Sequence, residues 1–387
     1  MAALLCLVAL VCLCPSISAY IVGGAVMPHG ALTLDPRNFN GSDNATESAN
    51  SLHYSALATG RFVQSLEADI ILLLTPHGLA LPEPFVLYNN PSAAGNVDLN
   101  SWLPCTFAPC TYNASVQLDT HLTKRLAAAL VASGNNVTTL SGFGPPGEGS
   151  LPMPLAWGEV IPLYFIQRAY NDPDREAQPG MQRTQKPLHS QQEGPQQQPQ
   201  RRRRLGRRLA AQAQSQPGSS SNSGIRLSEV QHPATTASDS TALPNFLLLS
   251  MPSRRYQHSV SMVPELLALG KALFAYLDSL DARIAVLVSG DLAHTWDSAG
   301  PYGFSEQAAQ FDAAVLQWAR DLDRDALLKA AAKSVGEAKS CGFPGMVVLQ
   351  GILDQVKPDN MHSVLLEYGH PSYYGMMCAV FDFQGDA

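Results

Sequence analysis

Residues 69–78 read DIILLLTPHG, an apolar run that is stopped abruptly by Pro76, His77 and Gly78. Four further apolar runs of similar length lie at 20–27, 244–250, 284–289 and 378–383. Short, nearly continuous apolar runs are typical of strands that are buried on both faces of a sheet. Stretches that are typical of helices accompany them, at 51–67, 119–133, 264–280, 305–320 and 323–332. This alternation predicts an α/β fold, a single domain with a mostly parallel central sheet flanked by helices.

Composition separates one internal segment from the rest of the chain. The 387 residues are 45% hydrophobic and 15% charged, with a net charge of −7, which predicts a sizeable core and argues against a general nucleic-acid binder. Residues 172–240 instead contain 13 Gln and 9 Arg and have no aromatic residue, so they bury too little apolar surface to offset the entropy of ordering the chain. We therefore predict that a disordered Gln/Arg/Ser-rich insert at 172–240 interrupts one α/β domain, formed by 20–171 and 241–387.

The N-terminus has the features of a secretory signal sequence. Residues 1–14 are nearly all apolar and are followed by small residues up to Ala19, which predicts a signal peptide over 1–19 and no stable membrane span after its cleavage. Four glycosylation sequons begin at Asn40, Asn44, Asn113 and Asn136. Cys105 and Cys110 are close enough in sequence to form a disulfide in an oxidising compartment. The prediction is a glycoprotein of the secretory pathway or the extracellular space; the alternative is a cytoplasmic protein whose first strand is apolar.

Histidines follow three of the predicted strands. His29 comes after the run at 20–27, His77 after the run at 69–75, and His294 shortly after the run at 284–289. In an open parallel sheet, ligands bind in the crevice at the carboxyl ends of the strands. Imidazoles that converge in such a crevice suit a transition metal. We therefore expect the three rings at one edge of the sheet.

A carboxylate near the C-terminus could complete such a site. Glu367 emerges from the apolar segment Val364–Leu366. Two histidines and one carboxylate that leave several coordination positions open form the arrangement of non-haem ferrous oxygenases. The same three residue types also occur in catalytic zinc sites, so the metal stays open at this point.

Five motifs, in this order along the chain, resemble a known family. They are Met27-Pro-His-Gly30, Thr75-Pro-His-Gly78, Ile161-Pro-Leu-Tyr-Phe165, Ser289-Gly-Asp-Leu-Ala-His294 and Gly300-Pro-Tyr-Gly-Phe304. The chain is similar to the LigB-like catalytic component of class III extradiol ring-cleavage dioxygenases. The resemblance covers essentially all of 20–171 and 241–387.

The resemblance implies a function and a set of site residues. It implies that His29, His77 and Glu367 bind Fe(II), and that His294 is the acid–base residue. The glutamate of the family usually occupies the position of Gly369 here; Glu367 is two residues upstream and on the same face of a strand, and His370 is the fallback ligand. Residues that we expect to line the substrate pocket are Trp157, Tyr302, His370 and Tyr373.

The resulting prediction is a non-haem Fe(II)-dependent dioxygenase that opens the ring of a catechol-type diol with O2. The expected partners are a small aromatic diol and O2 and no nucleic acid; self-association is left open. Two alternatives remain, a zinc-dependent hydrolase and a non-catalytic metal-binding or interaction protein on the same fold.

Overall fold

The computed structural model describes residues 20–142, 151–171 and 242–383. The predicted signal peptide at 1–19 and the predicted insert at 172–240 lie outside the described residues. Both therefore stay predictions, together with the domain limits that depend on them.

The described strands are β1 Tyr20–Met27, β2 Ile70–Thr75, β3 Phe85–Tyr88, β4 Ser92–Asp98, β5 Thr111–Gln117, β6 Val137–Leu140, β7 Met153–Pro154, β8 Asn245–Ser250, β9 Arg283–Ser289, β10 His362–Gly369 and β11 Met376–Asp382. The described α-helices are α1 Asp43–Ser65, α2 Thr120–Ala132, α3 Trp157–Asn171, α4 Arg255–His258, α5 Val263–Leu277, α6 Gln307–Asp321, α7 Ala332–Ala338 and α8 Phe343–Leu353. All five strands that the sequence predicts are present, with bounds shifted by at most two residues.

Eight of the described strands form one sheet in the order β10-β11-β1-β9-β2-β8-β3-β6. The central strands β1, β9, β2 and β8 are all parallel to one another. Antiparallel pairs flank this block, because β11 pairs with β1 and with β10, and β3 pairs with β8. The predicted α/β fold with a mostly parallel central sheet is thereby confirmed. A smaller sheet, in the order β5-β4-β7, lies beside it.

Both faces of the central sheet are buried, and β2 shows why. Successive side chains of a strand point to opposite faces. Leu72 and Leu74 accordingly belong to the core beneath α2, α5, α6 and α8. Ile71 and Leu73 belong to the core beneath α1, α3 and the smaller sheet. A strand packed on both faces must be apolar throughout, which is what the run at 69–75 indicated.

The five predicted helices are present with shifted ends, whereas α3, α4 and α8 were not predicted. Helix α1 begins at Asp43, eight residues before the predicted start at 51, because the hydroxyl of Ser42 caps it by accepting from the Ala45 N–H at 3.3 Å. The helix predicted over 323–332 begins as a wide π turn at 326–331 and continues into α7.

The structure also bears on the predicted disulfide and on the question of a membrane span. Cys105 and Cys110 are joined by a disulfide, as predicted. In the part of the chain that the structure describes, none of the helices has both the length and the hydrophobicity that crossing a bilayer requires.

Candidate metal centre and active site

Three neighbouring parallel strands deliver three histidines to one place. His29 follows β1, His77 follows β2, and His294 lies five residues beyond β9, which is hydrogen-bonded to both of the other strands. The ring centroids of His29 and His77 are 4.9 Å apart. The structure therefore brings together the residues that the Pro-His-Gly pattern indicated.

His29 is held in one tautomer by its neighbours. The Ser289 hydroxyl donates to the carbonyl oxygen of Gly158, so it has to accept from the Nδ1–H of His29, at 2.8 Å. The Nε2 lone pair of His29 then faces the centre of the site. Burial above all, with repulsion from a protonated His294 and from Arg255, lowers the pKa of His29 to about 3. The ring is therefore neutral at physiological pH and free to bind a metal through Nε2.

His77 is also neutral at physiological pH, and its ring lies next to the aromatic side chains of Trp157 and Tyr256. Its ring stacks on Trp157, with centroids 4.9 Å apart. Its Nδ1 lies 3.3 Å from the hydroxyl of Tyr256, which accepts from the Arg255 guanidinium at 2.6 Å. Burial, with repulsion from a protonated His29 and from Arg255, lowers the pKa of His77 to about 2.

Cys341 enters the same site from the segment before α8. Its Sγ lies 3.3 Å from Nε2 of His29 and 3.7 Å from Nε2 of His294. The segment can come this close because Gly290 and Gly342 pack against each other; a Cβ on Gly290 would clash with the Gly342 backbone. Two hydrogen bonds to the Asp291 carbonyl oxygen hold it there, from Gly342 N–H at 3.0 Å and from the Ser340 hydroxyl at 2.9 Å.

Asp291 supplies a buried carboxylate next to the imidazoles. Its Oδ1 accepts from the His29 backbone N–H at 3.0 Å, and its Oδ2 lies 3.5 Å from Nε2 of His29. Burial raises the pKa of Asp291 to about 6, although the hydrogen bonds and the nearby His294 favour the charged form. At neutral pH the carboxylate is ionised and faces His294.

These side chains form two overlapping groups of metal-ligand type. One consists of His29, His77 and Cys341 and the other of Asp291, His294 and Cys341, and within each group the ligand atoms lie within 4.8 Å of one another. Two atoms bound to one ion lie at most about 4.6 Å apart, given metal–ligand bonds of roughly 2.0–2.3 Å. Neutral imidazoles with a thiol and a carboxylate suit a transition metal such as iron or zinc. The residues present therefore fit a metal ion.

Glu367 and His370 lie outside these groups. Glu367 lies on β10, level with Cys378 of β11, and β11 separates it from β1. The Glu367 carboxylate accepts from the backbone N–H of Tyr368 at 2.9 Å. His370 stacks on Trp296, with ring centroids 3.8 Å apart. Neither side chain lines the cavities around the histidines. Among the described residues, Cys341 is the ligand-type side chain that groups with both His29 and His77.

Two cavities meet at the histidines. The first, of about 400 Å³, is lined by His29 and by aromatic side chains that include Trp102, Tyr373 and Tyr374. The second, of about 1080 Å³, extends over Arg255, Tyr256 and Lys339. Both are bordered by His77, Trp157, His294 and Tyr302. Pockets of this size hold small organic ligands. Trp157, Tyr302 and Tyr373, which the sequence analysis expected in a substrate pocket, line these cavities.

A buried carboxylate outside the cavities holds the segment that carries His294. Asp312 of α6 accepts from the Ala293 backbone N–H at 2.9 Å, from Trp296 Nε1 at 2.8 Å and from the Tyr368 hydroxyl at 2.8 Å. Burial raises its pKa to about 6.

The sequence prediction gave no role to Cys341, Asp291, Arg255, Tyr256 or Asp312. Asp291 lies inside a motif that the sequence already singled out, three residues before His294. The glycine that directly follows Cys341, Gly342, was the one local feature of the sequence that could have indicated a close approach of the Cys341 thiol to the site.

The comparisons with known proteins point to one family. Residues 254–379 match the family described as the catalytic LigB subunit of aromatic ring-opening dioxygenase, which confirms the resemblance over that segment. No curated protein matches the chain significantly. Among solved structures, an uncharacterized protein of Escherichia coli K12, JW3007, is similar with 12% identity and a TM-score of 0.44, covering 93% of this chain and 99% of that one.

Proposed function

We propose that the chain is an extradiol dioxygenase that uses Fe(II) and O2 to open the ring of a catechol-type diol. One observation carries the proposal. His29 and His77 lie outside the segment that matches the ring-opening dioxygenase family, yet they meet His294, which lies inside it. Residues from inside and outside the matched segment thus form one cluster beside an aromatic-lined cavity. Such a cluster supports an active site for the ring-opening chemistry of that family.

The metal would be held by His29, His77 and Cys341, whose ligand atoms all lie within 4.8 Å of one another. The Ser289 hydrogen bond aims His29, and the Tyr256 hydroxyl contacts the far nitrogen of His77. A bound divalent ion lowers the pKa of a coordinated hydroxyl group and brings two reactants together.

His294 is the proposed acid–base residue. Burial lowers the pKa of His294, so the ring is neutral at physiological pH and can accept a proton from a diol hydroxyl. The Asp291 carboxylate favours the imidazolium that results, because its negative charge raises the pKa of His294 again. His294 could then return the proton as the ring opens.

Aromatic side chains would position the substrate ring. Trp157 is fixed by its stacking on His77. The ring centroids of Tyr302 and Tyr373 lie 5.8 and 6.3 Å from that of His294. Aromatic rings in such a setting favour offset stacking or edge contacts. A catechol that packs against these side chains would lie next to His294.

Cys341 favours a second candidate, a zinc-dependent hydrolase. Thiolate and imidazole ligands with an open position are typical of catalytic zinc sites. The same proton acceptor, His294, would then act on a water molecule.

We also propose that the protein enters the secretory pathway. The disulfide between Cys105 and Cys110 and the exposure of all four sequon asparagines support this. Treatment of the protein from a eukaryotic secretory host with a glycosidase should lower its apparent mass; an unchanged mass would contradict the proposal.

The test of the main proposal is anaerobic reconstitution with Fe(II) or with Zn(II), followed by addition of O2 and a panel of catechols. We expect oxygen uptake and a ring-opened product with Fe(II) only. His294→Ala should abolish turnover and retain the metal, whereas His121→Ala, an exposed histidine of α2, should behave as the wild type. Hydrolysis of ester or amide substrates with Zn(II), without oxygen uptake, would favour the second candidate.

A further inference from the structure

Glu159 of α3 is a buried carboxylate that lines neither of the two cavities and belongs to neither metal-ligand group. Its side chain is 0% exposed. Its Oε1 accepts from the Tyr88 hydroxyl at 2.6 Å, and its Oε2 accepts from the Ala156 backbone N–H at 2.7 Å. Burial raises the pKa of Glu159 to about 7, although both hydrogen bonds favour the charged form. A buried carboxylate is costly unless its oxygens are hydrogen-bonded, so these two contacts fix its position.

One of the two contacts is an ordinary helix cap, and the other is not. A glutamate at the third position of a helix commonly accepts from the backbone N–H of the residue before the helix, as Glu159 does from Ala156. A glutamate is nevertheless rarely buried completely. The second oxygen reaches Tyr88 of β3, whose hydroxyl also accepts from the Leu79 backbone N–H at 2.5 Å. This chain of hydrogen bonds joins the loop after β2 to the start of α3.

One end of the chain holds the loop that carries His77. Leu79 lies two residues after His77, and its backbone N–H is the donor to Tyr88. A Cβ on Gly78 would clash with the Tyr88 hydroxyl and with the Glu159 carboxylate. The glycine that follows His77 therefore lets the loop pack directly on the Glu159–Tyr88 pair.

The other end of the chain holds the first turn of α3, which acts on both histidines. The Trp157 ring stacks on His77, with centroids 4.9 Å apart. The Gly158 carbonyl oxygen accepts from the Ser289 hydroxyl, which in turn accepts from Nδ1 of His29 at 2.8 Å. The turn therefore orients His77 by stacking and His29 through Ser289.

We propose that Glu159 is a positioning residue that, together with Tyr88, places His29 and His77 for metal binding. It acts through the loop after β2 and through the first turn of α3. The inference rests on the proposed function, because it takes the two histidines to be metal ligands. Loss of a group that orients a metal ligand lowers metal affinity by about 10- to 100-fold. Because Glu159 acts one step further from the ligands, we expect the lower end of this range.

The test measures the Zn(II) affinity of the metal-free full-length protein by competition with a chromophoric chelator, and its free energy of unfolding by urea denaturation. Tyr88→Phe removes the hydroxyl that joins the two segments, and Glu159→Gln replaces one acceptor oxygen with an NH2 donor. We expect each variant to bind Zn(II) about tenfold more weakly than the wild type. The double variant should lose little beyond the larger single effect, because both changes break the same hydrogen bond.

The matched control is Tyr170→Phe. Tyr170 is a buried tyrosine of α3 whose hydroxyl has no hydrogen-bond partner among the described residues, so its Zn(II) affinity should equal that of the wild type. A merely structural role of the Glu159–Tyr88 pair would lower stability but not the metal affinity of the folded protein. Folded Tyr88→Phe that binds Zn(II) as tightly as the wild type would therefore overturn the proposal, even if Glu159→Gln does not fold, and would leave the proposed function standing. Absence of Zn(II) binding by the wild type would instead overturn both.

Discussion

Substitution of Ser289 by Ala tests whether His29 is pre-oriented to bind a metal. The Ser289 hydroxyl accepts from Nδ1 of His29 at 2.8 Å and donates to the Gly158 carbonyl oxygen. Removing it frees the tautomer and the orientation of the ring. Loss of such a supporting hydrogen bond lowers metal affinity by about 10- to 100-fold, or roughly 1.4–2.8 kcal/mol.

The same substitution also has a cost in stability. Ser289 is fully buried and His29 nearly so, and the change leaves Nδ1 of His29 and the Gly158 carbonyl oxygen without a partner. At about 1–3 kcal/mol for each buried unsatisfied group, the free energy of unfolding falls by roughly 2–6 kcal/mol if neither group finds a new partner.

Two assays separate these effects. Titration of the metal-free protein with Zn(II) against a chromophoric chelator gives the metal affinity, and urea denaturation gives the free energy of unfolding. Ser279→Ala is the control, because its exposed hydroxyl donates only to the Tyr276 carbonyl oxygen; both quantities should stay close to those of the wild type. A Ser289→Ala protein that is less stable but binds metal within twofold of the wild type would refute the orientation argument.

Three further predictions concern the surroundings of the centre. Gly290→Ala places a Cβ against the Gly342 backbone, so Tm should fall. In the Co(II)-substituted protein, the absorption band from the Cys341 thiolate to Co(II) should weaken; an unchanged spectrum would contradict the proposed contact. Cys341→Ser should remove that absorption and weaken Zn(II) binding at least about tenfold, whereas retention of both would show that the thiol is not a ligand. Asp312 has a pKa raised by burial to about 6 from 3.8, so its contribution to stability is full below pH 3.8 and is lost as the pH rises through 6. The unfolding free energy of the wild type minus that of Asp312→Asn should therefore fall between pH 4 and 7 by up to roughly 3 kcal/mol, and a flat difference in urea denaturation would show that the carboxyl group is not perturbed.

The sequence predicts the sheet well because burial on both faces leaves a local signal. A strand such as β2 must be apolar at every position, so its run at 69–75 marks both its presence and its central place. Convergence of His29, His77 and His294 follows from the same logic, since parallel strands end at one edge. Strand β3 and the edge strand β6 are short and depend on tertiary pairing, and the sequence prediction did not include them.

The position of Cys341 beside the histidines could not be predicted, because it depends on contacts between distant segments. Cys341 reaches the histidines through the close approach of Gly290 and Gly342, which no local pattern specifies. Glu367 was expected at the metal from its place in the chain and its strand face. That reasoning fixes the face of β10 but not the number of strands between it and β1, and β11 lies between them.

The central claim is that His29 and His77 bind one metal ion together. Calorimetric titration of the metal-free full-length protein with Zn(II) tests it most directly, with His29→Ala/His77→Ala compared with the wild type. We expect one tight equivalent in the wild type and none in the double variant, with circular dichroism showing that both are folded. The same stoichiometry and affinity in the two folded proteins would contradict the claim.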